Sequence, residues 1–143
     1  MDSLDERLLA ALAADASQST TALARVLGVA RSTVQARLER LKGRGVIAGY
    51  TIRLGGEIAR RRIRATILLQ IEPRSTAAVL SRLKAMTEVE ACHTSTGRVD
   101  LILSVAAEDT ERLDQVLDKI GTVPGVRGTE SLIQLSTRWD RRI

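Results

Sequence analysis

The chain has 143 residues, with 22 Lys+Arg against 17 Asp+Glu, a net charge of +5, 44% apolar and 27% charged residues; this suits one medium domain or two small ones and excludes a mainly disordered chain. Aromatic residues are 1% of the chain, Tyr50 and Trp139 with no Phe, so the core must be aliphatic and stacking of several bases on aromatic platforms is all but excluded. The lone Cys92 and lone His93 make neither an internal disulfide nor a zinc site within one chain, so no cofactor and no metal is expected. The N-terminus is acidic and the apolar runs are short, so no signal peptide, spanning helix or membrane partner is expected. That predicts a cytoplasmic protein.

In chain order, Ser3-Leu4-Asp5-Glu6 has the form of a capping box, Ser3 capping and Glu6 reaching back. Leu4, Leu8, Leu9 and Leu12 follow at helical spacing, predicting a helix over residues 3–14. Residues 15–19 read as a loop. Thr20 or Thr21 then caps a second helix carrying Leu23, Val26 and Leu27, which Gly28 stops. A third helix is predicted over residues 31–43, with Val34, Leu38 and Leu41 on one face and Gly45 as its left-handed terminator.

The break of three or four residues around Gly28 is the sequence form of a helix-turn-helix. Ala24 allows close approach, Val29 fills the space beneath the turn, and Val34 locks the second helix onto Leu23 and Leu27. Outward on the third helix stand Arg31, Ser32, Thr33, Gln35, Arg37, Arg40 and Lys42, with Arg44 just beyond it. These are donors for phosphates and base edges, and Gln and Arg are the side chains best matched to adenine and guanine. The charge agrees. Residues 1–62 hold 11 Lys+Arg and six acids, a balance of +5, whereas residues 63–143 hold 11 of each. One half is built to meet a polyanion; double-stranded DNA is the expected partner.

Residues 50–54 alternate and predict a strand, which Gly55-Gly56 breaks. Arg60-Arg61-Arg62 follows as a basic run, read as a solvated hinge or as a contact to flanking DNA. Residues 64–72 and 101–106 are β-rich apolar runs, each followed by an amphipathic helix. Val79, Leu80, Leu83 and Met86 form the first buried stripe, and Leu113, Val116, Leu117 and Ile120 the second. A shift of 34 residues superposes Ile71 on Val105, Leu83 on Leu117, Met86 on Ile120 and Val89 on Val123. This repeat predicts a ferredoxin-like βαββαβ arrangement, with strands over 64–72, 89–96, 99–106 and 126–136 and Pro124-Gly125 turning into the last. Leu68, Ile102 and Leu132 are candidates for an uncovered apolar sheet face, which predicts dimerisation. Alternation puts one of Cys92 and His93 on each sheet face, with a buried Cys as the default. The predicted class is therefore α+β: an N-terminal helix-turn-helix (winged-helix-like) domain over 1–49, a linker strand and hinge over 50–62, and a βαββαβ domain over 63–143.

The runs Leu4-Asp5-x-x-x-Leu8-Leu9, Leu23-Ala24-x-x-Leu27-Gly28-Val29, Ser32-Thr33-Val34-x-x-Arg37-Leu38-x-x-Leu41 and Gly45-Val46-Ile47-x-Gly49-Tyr50 resemble the Lrp/AsnC (feast/famine) transcriptional regulators. The resemblance implies sequence-specific DNA binding modulated by a small molecule, an amino-acid effector in the first instance. It implies a nucleoid-associated homodimer that assembles into higher oligomers such as an octamer, with the 50–54 strand pairing with its counterpart in a second subunit. It further implies an effector pocket at the turn around Gly97, Arg98 and Asp100, with Thr129 and Ser131 as a polar pair on the last strand. Ala30 stands where the family usually has a capping Ser, so the third helix would start on Ser32 with Gln35, or fray. Val99 stands where many relatives carry an aromatic residue. Two other functions fit the same plan: an architectural DNA-packing protein with no effector, and an enzyme resembling siroheme decarboxylases. Acid–base work on a tetrapyrrole wants histidines and a basic pocket in the second half, which has one His and zero net charge, so the chain reads as a non-enzyme.

Overall fold

Residues 1–140 are described by the computed structural model, apart from the side chains of residues 59 and 60, and they divide into two units, Met1–Arg53 and Leu54–Asp140. In the first unit α1 (Ser3–Ala14), α2 (Thr20–Leu27) and α3 (Arg31–Gly43) enclose Leu8, Leu12, Leu23, Ala24, Leu27, Val34 and Leu41. Leucines every three or four residues give each helix one apolar stripe, and the three stripes share one core. Val26 does not join it: the side chain is 64% exposed, because Leu23 and Leu27, one turn apart, take the inward face of α2.

Three helix starts differ from expectation. Asp2, not Ser3, caps α1: its Oδ1 accepts the Asp5 N–H at 2.9 Å, and Asp5 Oδ2 accepts the Asp2 N–H at 3.2 Å. Asp caps as well as Ser, and the one-residue shift turns Asp5 rather than Glu6 inward. Ser19, not Thr20 or Thr21, caps α2, accepting the Ala22 N–H at 3.1 Å. At α3, Ala30 holds extended N-cap geometry with no side-chain cap bond; the helix starts there without help from Ser32 or Gln35. Gly28, at φ 71°, carries the turn between α2 and α3, and the Val29 N–H closes onto the Ala24 carbonyl at 3.1 Å. After α3, Gly45 is left-handed as expected, and the Val46 N–H bonds the Leu41 carbonyl at 2.9 Å.

Residues 50–54 form no strand within the chain. A strand needs a neighbour for its ladder, and Tyr50, Ile52 and Leu54 stand exposed instead. The Gly55-Gly56 pair does not simply break the chain; it opens a short helix, α4 (Gly56–Arg61). Of the arginine run that follows, Arg61 pairs with Glu57 and Arg62 with Glu90; the side chain of Arg60 lies outside the described residues.

The second unit is β1 (Ile63–Ile71), α5 (Thr76–Lys84), β2 (Val89–Thr94), β3 (Leu101–Ala107), α6 (Thr110–Gly121) and β4 (Val126–Gln134). All pairings are antiparallel and the strand order is β2-β3-β1-β4, the ferredoxin-like βαββαβ topology. Ala65, Ile67, Leu69 and Ile71 alternate inward along β1, level with Leu101, Leu103 and Val105 of β3, and pack on Val79, Leu83, Leu113, Val116 and Ile120. Among the described residues of this unit, neither α5 nor α6 covers the opposite sheet face. There Leu68 and Ile102 are half-buried side by side and Leu132 is half exposed. Gly125, at φ 98°, turns the chain into β4, and a Cβ there would lie 2.4 Å from that of Ser75, so the close approach of the two segments needs a glycine. The expectation of a buried Cys92 is corrected: the thiol is exposed, because β2 is an edge strand covered on one flank only. Partial burial still raises its pKa.

Candidate nucleic-acid interface

The outward surface of α3 carries no large apolar side chain, with Ala36 its one apolar residue. Arg31, Ser32, Gln35, Arg40 and Lys42 are exposed, Thr33 and Arg37 half-buried, and Arg44 exposed at the C-cap. At about 100° per residue, Arg31, Gln35 and Lys42 fall on one flank and Arg37 and Arg40 on the other, with Val34 and Leu41 buried between them on the inward side. The two flanks differ in what their cations meet. On the first flank Arg31 has no carboxylate partner among the described residues, and Lys42 lies over the Tyr50 ring, 5.2 Å from its centre; Arg44, at the C-cap on the side of Arg37 and Arg40, has none either.

On the second flank, Arg37 Nη1 donates to Asp2 Oδ2 and, at 3.1 Å, to Asp5 Oδ1. Arg40 Nη2 donates to both oxygens of Asp5, at 3.0 and 2.7 Å. Asp5 is 0% exposed, and a buried carboxylate persists only when its lone pairs are filled, as here by two guanidinium groups and a backbone N–H. The Arg37 hydrogen bond, then the Asp5 N–H, lowers the Asp2 pKa to about 2. Burial pushes the Asp5 carboxyl upward, but the Asp2 N–H and the two arginines outweigh it and hold the group below the ordinary carboxylate value. The pairing of Arg37 and Arg40 with α1 was hidden in the sequence, where Asp2 and Asp5 read only as part of a helix start. Arg7 adds a second tie by donating to the Leu27 carbonyl at 3.2 Å, at the end of α2.

In the other unit, Gly97, Arg98 and Asp100 come together in the turn between β2 and β3. Gly97 has φ 103°, the region that favours glycine. The Asp100 carboxylate accepts the Ile71 N–H at 2.8 Å, its N–H donates to the Leu69 carbonyl at 2.8 Å, and its carbonyl accepts the Ser95 N–H at 2.9 Å. It thus splices the turn onto the end of β1, one of the two roles open to it. Arg98 reaches across to Glu130 of β4 at 3.3 Å, and Gln70 donates to the Arg98 carbonyl at 2.7 Å. Gln70 and Glu130 are neighbours of the turn that sequence reasoning missed; only the β1–β4 register, which sets Gln70 beside Gly128 and Leu68 beside Glu130, exposes them. Thr129 and Ser131 are exposed on the sheet face opposite to Glu130, level with Leu69 and Ile67. Within one chain they do not join the turn.

No helix among the described residues is long and apolar enough to cross a membrane. Two family descriptions match: the AsnC-type helix-turn-helix domain over residues 1–42 and the Lrp/AsnC ligand binding domain over residues 64–143. HTH-type transcriptional regulator LrpA of Mycobacterium tuberculosis is 32% identical over 143 residues, covering 99% of this chain and 95% of the relative. HTH-type transcriptional regulator FL11 of Pyrococcus abyssi is 30% identical over 137 residues, covering 96% and 91%. Among solved structures, AsnC of E. coli superposes with a TM-score of 0.89 at 27% identity, covering 100% of this chain and 97% of that one. The feast or famine regulatory protein of M. tuberculosis, complexed with L-methionine, superposes with a TM-score of 0.87 at 32% identity, covering 99% and 97%. A glycine-turned helix pair with a polar outer face, a βαββαβ unit behind it in sequence, and relatives matched along nearly the whole chain agree: the protein belongs to the Lrp/AsnC family of transcriptional regulators.

Proposed function

We propose that the protein is a sequence-specific DNA-binding regulator whose occupancy responds to a small molecule of the amino-acid class. Residues 1–49 act as the DNA-binding domain, 50–62 as the linker, and 63–143 as the sensing and oligomerising domain. The observation that carries the reading is the outer surface of α3: a helix seated on a glycine turn, with no large apolar side chain outward and with cations at Arg31 and Arg44 that have no carboxylate partner among the described residues. Gln35, Ser32 and Thr33 stand where a helix laid in the major groove reads base edges, while Arg31, Lys42 and Arg44 take phosphates. Arg37 and Arg40 belong to the same surface but are engaged by α1. A homodimer closed through the bare sheet face of Leu68, Ile102 and Leu132 presents two such helices to a pseudo-palindromic site, and higher oligomers follow by resemblance. The protein works in the cytoplasm, on the nucleoid, and catalyses nothing.

Selection of bound sites from random duplexes tests the reader. Wild type enriches one motif, and Gln35→Ala relaxes the preference at one position of each half-site; enrichment unchanged by Gln35→Ala refutes the assignment.

The effector reading rests on the turn of Gly97, Arg98 and Asp100, with Thr129 and Ser131, and on the relative complexed with L-methionine. Gly97 offers a backbone N–H and Arg98 a fork for a carboxylate, and Asp100 attracts an ammonium. A second reading has its own observation. Asp100 is already bonded to Ile71 and Arg98 to Glu130, which suits an architectural DNA-binding protein with a closed turn and no effector. Thermal unfolding with each of the twenty amino acids separates the two. A raised melting temperature with at least one of them is the expected result, and none with any of them selects the architectural reading.

A further inference from the structure

The recognition helix carries two kinds of cation, and the arrangement gives the second kind a purpose. Arg37 and Arg40, one turn apart on α3, converge on Asp5 and Asp2 in the first turn of α1, 32 to 35 residues away in sequence. Asp5 is 0% exposed and Arg37 keeps 25% of its side-chain surface. The two carboxylates cancel the two guanidinium charges, so this cluster presents no net charge to a polyanion although it holds two of the helix's arginines. A fork held by two fixed carboxylates also adds a directional tie to the constraint that buried Val34 and Leu41 already place on rotation of α3 about its own axis.

We infer that Asp5, with Asp2, is a positioning residue for DNA recognition: it holds Arg37 and Arg40 away from the phosphates and fixes the roll of α3, so that Gln35 is turned to the bases while Arg31 and Lys42 on its flank are left for the phosphates. The inference rests on the DNA-binding reading of α3. It makes Arg37 an anchor of the helix, not a contact to DNA, and it makes Asp5 a specificity determinant that never touches the duplex. Uncommitted arginines on both flanks favour any phosphate backbone equally, whereas arginines withheld on one flank leave sequence reading to the other.

The test uses the full chain, folded state checked by circular dichroism, and measures affinity for a selected operator duplex and for a random duplex over a salt series. Each phosphate contact contributes about 0.9 to the slope of log K against log salt. For R37Q the expected result is an unchanged slope with a fall of about tenfold or more in the operator-to-random ratio, and R37K restores part of that ratio through a single donor. A slope lower by about one with the ratio intact makes Arg37 a phosphate contact and overturns the inference, as does a variant unchanged in both. D5N frees Arg40 and leaves Arg37 held by Asp2 alone, and the expected result is tighter binding to random DNA with a slope steeper by about one. A slope equal to or shallower than wild type overturns the inference. Should D5N fail to fold, R37Q decides alone. A merely structural role weakens binding to both duplexes in parallel and leaves their ratio unmoved. Wild type that binds neither duplex at any salt refutes the DNA-binding reading itself, and the inference falls with it.

Discussion

At the scale of single residues, the electrostatics of the N-terminal unit turn on Asp2 and Asp5. Both carboxyls are held below their ordinary value, Asp2 near 2 against 3.8 when unperturbed. A group whose pKa is lower in the folded state stabilises it above the unfolded pKa, and that contribution is lost as pH falls through the folded value. Stability arising from Asp2 is therefore constant above about pH 4 and declines between 3.8 and about 2, and Asp5 acts in the same direction. Asp2→Asn isolates the charge, because Asn caps a helix as well as Asp does. Denaturant unfolding from pH 7 to pH 2 is expected to show Asp2→Asn less stable than wild type at neutral pH, with the gap closing below pH 4. A gap that stays constant with pH contradicts the ion pair as its source. The ion pair itself was not legible in the sequence. Asp2, Asp5, Arg37 and Arg40 are all visible there, but only the packing of α1 beside α3 shows that the carboxylates face the arginines.

At the scale of elements, legibility followed the strength of the repeating pattern. The leucine periods of α1 to α3 and the inward alternation of Ala65, Ile67, Leu69 and Ile71 could be read directly, since each is imposed by burial of one face. Helix starts could not be fixed to the residue. Asp2, Ser3, Ser19 and Thr20 are all good caps, and the choice depends on which neighbour must point inward. The stretch 50–54 shows the converse: alternation is necessary for a strand, but pairing is what makes one, and the chain supplies no partner. Cys92 was misjudged because alternation gives a face and not the distance from the sheet edge. The bare start of α3 gives a direct test. Ala30 already sits at φ −67°, ψ 148°, the geometry in which a hydroxyl caps. Ala30→Ser is expected to raise stability by about 1 kcal/mol in urea unfolding; an unchanged midpoint contradicts the geometry assigned to this turn.

At the scale of the whole molecule, one charge distribution and one bare sheet face organise the account. The +5 of the chain lies entirely in residues 1–62. Asp2 and Asp5 neutralise part of the positive surface there and leave Arg31 and Arg44 outward. The βαββαβ unit balances its own charges, and its turn at Gly97 is closed on itself by Asp100 and Arg98. The fold was therefore readable from patterning. The candidate sites were readable as positions, but not as contacts: which arginine is free and which is held is a matter of three-dimensional neighbours. The measurement that bears most directly on the central claim is duplex DNA affinity as a function of salt. A straight line of negative slope in log K against log salt, with a selected sequence bound more tightly than a random one throughout, is the expected result. Affinity that does not change with salt, or is equal for the two sequences, contradicts it.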